Sequence, residues 1–256
     1  MDAANEAIQE IIEEIKSSPS DINQIKNRVA KKYRLQRVPG NSEILEHVPE
    51  EYLPLLLPLL RRKPIRTLSG VAVVAVMARP YPCPGNCIYC PKGDDAPQSY
   101  TGEEPAALRA RNAGYDPYTQ VMDRLKQLDS IGHPIEKVEL IVMGGTFLAQ
   151  PIEYQEEFVR SCIVAMNAYG DSKGRDATLQ EVQHLNEKAK IRNVGITFET
   201  RPDFAREEHV DRMLELGVTR VELGVQSLSD AVYDKVNRGH TVDDVVRSTK
   251  TLKDAG

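Results

Sequence analysis

The sequence predicts an α/β fold: a parallel sheet of repeated strand–helix units, forming part of a TIM-like barrel, behind an N-terminal helical segment. Three observations predict it. Short apolar runs rich in β-branched residues occur four times, at residues 70–77, 138–143, 194–199 and 221–226. Such runs suit strands buried on both faces of a parallel sheet. Segments of helical periodicity separate them, and that alternation gives right-handed crossovers between parallel strands. Polar residues follow the C-terminal ends of the runs, where barrels carry their sites.

Taken in order, Ile8, Ile11, Ile12 and Ile15 are spaced as one face of a helix. Ser18-Pro19-Ser20-Asp21 ends it and offers an N-cap to the next. Ile22, Ile25, Val29 and Tyr33 mark one face of a second helix, whose other surface carries Lys26, Arg28, Lys31 and Lys32, with Arg34 and Arg37 following. A further basic group is Arg61, Arg62, Lys63 and Arg66. Such cations either solvate a helix face or release counterions from a nucleic-acid backbone. Pro39-Gly40-Asn41 reads as a turn. Residues 52–60 are apolar but interrupted by Pro54 and Pro58, a broken helix or packed loop.

The first strand follows at 70–77, then a cysteine loop, a polar aromatic stretch and a helix at 118–131. After the second strand, helices are expected at 153–168 and 178–190, with a polar loop at 171–176 between them. The third strand leads to a helix at 204–216 stopped by Gly217. The fourth leads to helices at 229–237 and 242–254. Residues 1–65 are therefore read as a basic helical segment and 66–256 as the α/β core. The chain stops where another strand is due, so about two more strand–helix units are expected of a closed barrel.

Composition narrows the function classes. No apolar run is long enough to span a bilayer, and no basic-then-apolar leader opens the chain. The net charge of −5 argues against general affinity for nucleic acid and leaves the local basic patches as the exception. Clustered cysteines suggest a reducing, cytoplasmic setting.

Three of the four cysteines lie in Cys83-Pro-Gly-Asn-Cys87-Ile-Tyr-Cys90. Thiolates are soft ligands for zinc, copper or iron–sulfur clusters. A structural zinc site takes four ligands, commonly as two pairs, and ferredoxin clusters take a fourth cysteine. The remaining Cys162 falls far away, in a helical pattern. Three thiolates on a cubane [4Fe–4S] cluster leave one iron open to an outside molecule. This spacing resembles the signature of radical S-adenosylmethionine (SAM) enzymes, whose open iron chelates the amino and carboxylate groups of SAM.

Gly144 and Gly145 follow the second strand, where glycine lets a backbone approach a ligand. Glu199 and Arg201 end the third strand, and Gln226 ends the fourth. A carboxylate there can hold a ribose or amine, and a guanidinium can pair with a carboxylate; Glu199 and Arg201 read equally as a structural ion pair. Tyr89 can stack or cover the cluster. The stretch around Gln98–Gly102, Arg109, Arg111 and Tyr115–Tyr118 is rich in groups that stack on bases or bind phosphate, and reads otherwise as a capped loop. His133, His184, His209 and His240 have no metal-ligand spacing, and only His240 falls near the expected mouth.

Together these stretches resemble the catalytic subunit of Elongator, the archaeal-type radical SAM tRNA uridine carboxymethyltransferase. The matching residues are Cys83–Cys90, Gln98-Ser-Tyr-Thr-Gly102, Tyr115-Asp-Pro-Tyr118, Val142-Met-Gly-Gly-Thr-Phe147, Glu199-Thr-Arg-Pro-Asp203, Glu222-Leu-Gly-Val-Gln-Ser227 and Asn237-Arg-Gly-His-Thr241. The resemblance implies a cluster on Cys83, Cys87 and Cys90, with SAM contacts at Gly144, Gly145, Glu199, Arg201 and Gln226. It also implies tRNA contacts at Lys26, Arg28, Lys31, Lys32, Arg34 and Arg37. In that family an acetyl group from acetyl-CoA is coupled to C5 of the wobble uridine and hydrolysed to 5-carboxymethyluridine. Expected partners are tRNA, an electron donor, and a homodimer or Elongator-like complex, with no membrane.

Two departures stand out. Eukaryotic members have a longer gap between the first two cysteines, and the acetyltransferase-like domain that follows the barrel in the family is not expected in these 256 residues. The competing readings are a porphyrinogen-oxidase-like radical SAM enzyme and a non-catalytic tRNA-binding iron–sulfur module.

Overall fold

The computed structural model describes residues 3–19, 21–169 and 176–256. The polar loop expected at 171–176 lies almost wholly outside them. Two compact units are present: Met1–Ala72 with Leu125–Ile135, and Val73–Arg124 with Glu136–Gly256.

The first unit is helical. Helices α1 (Ala3–Ser17) and α2 (Ile22–Lys32) pack through Ile8, Ile11, Ile12 and Ile15 on one side and Ile25 and Val29 on the other. The four isoleucines sit at i, i+3, i+4 and i+7, so one stripe of α1 is apolar and enters the core. Asp21 caps α2 by accepting the Gln24 N–H at 3.1 Å. The expected turn at Pro39-Gly40-Asn41 instead starts a short helix, α3 (Asn41–Leu45), because Glu43 Oε2 accepts the Gly40 N–H at 2.6 Å. The proline-interrupted run is helix α4 (Leu53–Leu60), with Pro54 in its first turn, where the missing N–H costs nothing, and Pro58 inside. Leu56 and Leu60 are fully buried and join the isoleucine core.

The second unit carries the sheet. Its strands are β1 (Ala72–Met77), β2 (Lys137–Met143), β3 (Arg192–Thr200) and β4 (Arg220–Leu223), in sheet order β1-β2-β3-β4. β2 and β3 run parallel, with Leu140 opposite Ile196, and so do β3 and β4, with Glu199 opposite Glu222. The described strands form this four-stranded sheet and not a closed barrel. Burial on both faces holds for Ile196–Phe198 but not throughout; β1 and β2 alternate, with Val73 and Lys137 exposed. One face of those strands is therefore less covered than a fully two-sided sheet would be.

Helices α6 (Pro117–Ser130), α7 (Ile152–Ala168), α8 (Leu179–Asn186), α9 (Glu207–Glu215), α10 (Asp230–Lys235) and α11 (Val242–Asp254) fall where periodicity placed them, with shorter ends for α8, α9 and α10. Helix α5 (Pro105–Asn112) was not expected; Pro105 opens it, and Ala107 and Ala110 are its buried face. In the core, Phe147 meets Phe198 edge-on at 5.0 Å between ring centres and Phe158 of α7 at 5.3 Å. Gln120 of α6 closes the end of β1, accepting the Met77 N–H at 2.8 Å and donating to the Met77 carbonyl at 3.0 Å. That bracket fixes where the cysteine loop begins.

Candidate metal centre

The cysteine loop has little regular structure of its own and is tied down by distant parts of the sheet unit. The Ile88 N–H donates to the Val236 carbonyl at 3.0 Å, and Asn237 Nδ2 donates to the Asn86 carbonyl at 3.0 Å. Gln98 Nε2 reaches the Gly85 carbonyl at 3.4 Å. A Cβ built on Gly85 would lie 1.9 Å from Arg201 Nη1, so this position is glycine because a guanidinium occupies the side-chain space.

Cys83, Cys87 and Cys90 line one cavity of about 440 Å³. Each sulfur has a polar neighbour. Cys83 Sγ lies 3.4 Å from Thr146 Oγ1, and Cys90 Sγ lies 3.5 Å from Ser99 Oγ. Cys87 Sγ accepts from Arg238 Nη1 at 3.3 Å and Arg201 Nη1 at 3.8 Å. Burial pushes the Cys87 thiol up, but the Arg238 hydrogen bond and the charges of both guanidiniums outweigh it and hold the thiol below its ordinary value. The fourth cysteine, Cys162, is fully buried in α7, and burial pushes its thiol well up. It does not line the cavity.

Among the described residues, no three His, Cys, Asp or Glu side chains are placed to hold a single metal ion. A cubane binds each thiolate to a different iron, so its sulfurs stand farther apart than ligands sharing one ion. Three soft donors around a polar cavity, each beside a hydroxyl or a cation, fit that group.

The residues expected at the SAM site are partly assembled. Gly145, Glu199, Arg201 and Gln226 line the same cavity. Gly144 does not; its φ of 125° needs glycine, and a Cβ there would lie 3.2 Å from the Ala78 backbone nitrogen. It lets the chain pass β1. Gln226 also departs from expectation, lying beyond β4 at φ 66° in the left-handed region.

Arg201 is not a free fork. Its Nε and Nη2 pair with Asp203 at 2.9 and 3.0 Å, and Nη2 also donates to the Arg238 carbonyl at 2.9 Å. Glu199 accepts from Tyr100 Oη at 2.7 Å, not from Arg201. Burial pushes the Glu199 carboxyl up; the Tyr100 bond pulls it down and Glu222 pushes it up again, leaving it above its usual value. Burial and the Glu199 charge push the Tyr100 hydroxyl up, so it remains a donor.

Thr146, Glu222 and Arg238 also line the cavity; in the sequence they stand out only as members of the matching stretches, with no role of their own. Arg238 and His240 share one motif segment, but Cys87, the sulfur that Arg238 reaches, lies 151 residues away.

The cations expected to meet tRNA lie in the helical unit. Arg28 pairs with Glu14, Lys32 with Glu10 at 2.6 Å and Arg37 with Glu43 at 2.5 Å. Lys31 and Arg34 are exposed, Arg34 with φ 53°. Lys26 is not on the solvent face. It is 8% exposed, and its Nζ donates to Asn41 Oδ1 at 2.7 Å while Asn41 Nδ2 donates to the Leu60 carbonyl at 2.8 Å. Its charge is taken up in fastening α2, α3 and α4. No helix among the described residues is long and apolar enough to cross a membrane.

Residues 81–256 match the family model described as the Radical SAM superfamily. The chain belongs to the radical SAM superfamily. Residues 1–68 match the model described as the ELP3 N-terminal domain. Among its relatives, a tRNA uridine(34) acetyltransferase of Methanocaldococcus infernus is 47% identical over 260 residues, covering 97% of this chain and 48% of the relative. The protein of the same name from Methanocaldococcus jannaschii is 47% identical over 261 residues, covering 97% and 47%. Elongator complex protein 3 of Homo sapiens is 44% identical over 247 residues, covering 92% and 44%. This radical SAM chain thus spans about half the length of the curated relatives it matches. A solved structure, the archaeal Methanocaldococcus infernus Elp3 with an N-terminal deletion, superposes with a TM-score of 0.57 at 40% identity, covering 73% of this chain and 36% of that one. The resemblance read from the motifs and the similarity found across the chain agree.

Proposed function

We propose that Cys83, Cys87 and Cys90 hold a [4Fe–4S] cluster, and that this chain supplies the radical SAM part of an enzyme modifying the wobble uridine of tRNA. The observation carrying the reading is the convergence of the three thiols with Gly145, Glu199, Arg201 and Gln226 on one cavity. When bound, the cluster and SAM supply an electron and a breakable carbon–sulfur bond. The chain's own residues do the rest. Arg201 and Arg238 place cations beside Cys87. Glu199, steadied by Tyr100, presents a carboxylate oxygen to the cavity for an amine or a hydroxyl. Gly145, at φ 70°, exposes backbone without a side chain in the way. Gly144, beside it, lies against Ala78.

The tRNA assignment follows the names of the relatives and the basic surface of the helical unit. Arg28, Lys31, Lys32, Arg34 and Arg37 are the proposed phosphate contacts, with Lys26 organising the helices beneath them. Exposed ion pairs are weak, so Arg28, Lys32 and Arg37 can exchange a carboxylate for a phosphate. The acetyl group, from acetyl-CoA, and its transfer belong to the proposed activity of the whole enzyme. A cytoplasmic setting and a place in an Elongator-like assembly accompany this reading.

Anaerobic reconstitution with iron and sulfide, followed by SAM with and without tRNA, tests it. The expected result is about four irons per chain, a spectrum altered by SAM, and 5′-deoxyadenosine release raised by tRNA. A tightly bound metal whose spectrum ignores SAM would falsify the proposal.

A further inference from the structure

Two buried guanidiniums converge on one sulfur, and they are held differently. Arg201 is 6% exposed and neutralised by Asp203. Arg238 is 8% exposed, and its hydrogen bonds go elsewhere: Nη2 to the Gly224 carbonyl at 2.5 Å, Nε to His240 Nε2 at 3.0 Å, and Nη1 to Cys87 Sγ at 3.3 Å. Among these partners only the cysteine sulfur can carry a negative charge. A buried cation without a counter-charge is costly, so the thiolate of Cys87 is the natural partner of Arg238.

The support behind Arg238 is directional. Guanidinium N–H groups only donate, so His240 Nε2 must accept and its proton must sit on Nδ1, which faces the Thr241 carbonyl at 3.4 Å. Burial first, and then the Arg238 charge, hold this imidazole below its ordinary value and keep it neutral. The Tyr233 ring packs edge-on against it at 4.5 Å. Tyr233 in turn donates to the Val225 carbonyl at 2.7 Å.

We propose that Arg238, oriented by His240 and the Gly224 carbonyl, is a positioning residue that raises the reduction potential of the cluster through Cys87. This rests on the reading that the three thiols hold an iron–sulfur cluster. Reduction adds negative charge to the cluster, and a buried cation donating to a ligand sulfur stabilises that form. Arg201 adds charge from 3.8 Å, discounted by Asp203.

The test uses the full chain, as wild type, Arg238→Gln and Arg238→Lys, each reconstituted without oxygen. Iron and sulfide content are measured first, and the midpoint potential is then found by a redox titration followed by electron paramagnetic resonance. Equal iron content is expected in all three. At the wild-type midpoint, Arg238→Gln should show a reduced-to-oxidised ratio lower by about tenfold, equivalent to about 59 mV for one electron. Arg238→Lys keeps the charge but loses the fork, so it should recover part of that shift. A normal cluster in Arg238→Gln with an unchanged midpoint overturns the proposal. Should Arg238→Gln not fold, Arg238→Lys decides: a smaller downward shift supports the role, and no shift removes it. A wild-type chain that takes up no iron defeats the cluster reading itself, before any potential is measured.

Discussion

Cations meet negative atoms in both units, but in different surroundings. In the helical unit, Arg28 and Arg37 are 67% and 73% exposed at the side chain and lean on Glu14 and Glu43. In the sheet unit, Arg201 and Arg238 are buried against a thiol, with most of their donors committed. Water screens the first pairs, so they hold weakly. Exclusion of water makes the second set rigid, and removing one partner leaves an uncompensated group. Exposed arginines are therefore free to trade partners, while buried ones hold a fixed field. The first property suits a surface that meets a polyanion, and the second a site that must keep one geometry.

The largest expected effect breaks the buried side of this contrast. Cys87→Ser should lose most of its bound iron after anaerobic reconstitution while the far-ultraviolet circular dichroism is kept. Retention of full iron content would show that Cys87 and its two arginines are not at the metal. Next in size is a change in the core beneath the exposed cations. Ile11 is fully buried among isoleucines and leucines, so Ile11→Ala should cost about 2–5 kcal/mol in urea unfolding. A loss below about 1 kcal/mol would mean that the stripe is not closely packed.

The surface itself comes third. Combined Lys31→Ala, Arg34→Ala and Arg37→Ala should weaken tRNA binding and flatten its salt dependence by about one unit of slope per lost phosphate contact. Binding with an unaltered slope would remove these residues from the interface. The smallest effect concerns Glu43. The Arg37 bond, and then the Gly40 N–H, hold its carboxyl down to about 2. A lowered folded-state value stabilises above the ordinary carboxylate range, and the benefit is lost as pH falls towards 2. Wild type should therefore lose more stability than Glu43→Gln between pH 6 and pH 3, the two stability curves drawing together on the acid side. Parallel curves would show that the pair contributes nothing.

The strands were legible because continuous apolar runs admit few other readings, and the four isoleucines of α1 because their spacing is strict. Helix α3 was hidden by Pro39-Gly40-Asn41, whose turn chemistry is also that of a helix start once Glu43 reaches back. Helix α5 was hidden by a short apolar face of two alanines. In the site, the thiols and the residues ending β3 could be found because strand ends are where side chains gather. Partner choice could not. Arg201 takes Asp203, two residues on, and Lys26 turns inward to Asn41. Whether a cation faces water or a neighbour is decided by packing, which periodicity does not encode. The reach of Arg238 to Cys87 stayed hidden for the same reason, since a basic residue in a polar loop ordinarily marks surface.

The tethers of the cysteine loop have a consequence for biosynthesis. Asn86 and Ile88 are held by residues 236–237, so at the moment the thiols leave the ribosome their anchors have not been made. At about 5–20 residues per second, a gap of 151 residues leaves the loop untethered for roughly 8–30 s. During that interval the three sulfurs are open to stray metal or oxidation. On the proposed cluster reading, the loop reaches its final tethered form only after residues 236–237 have been made.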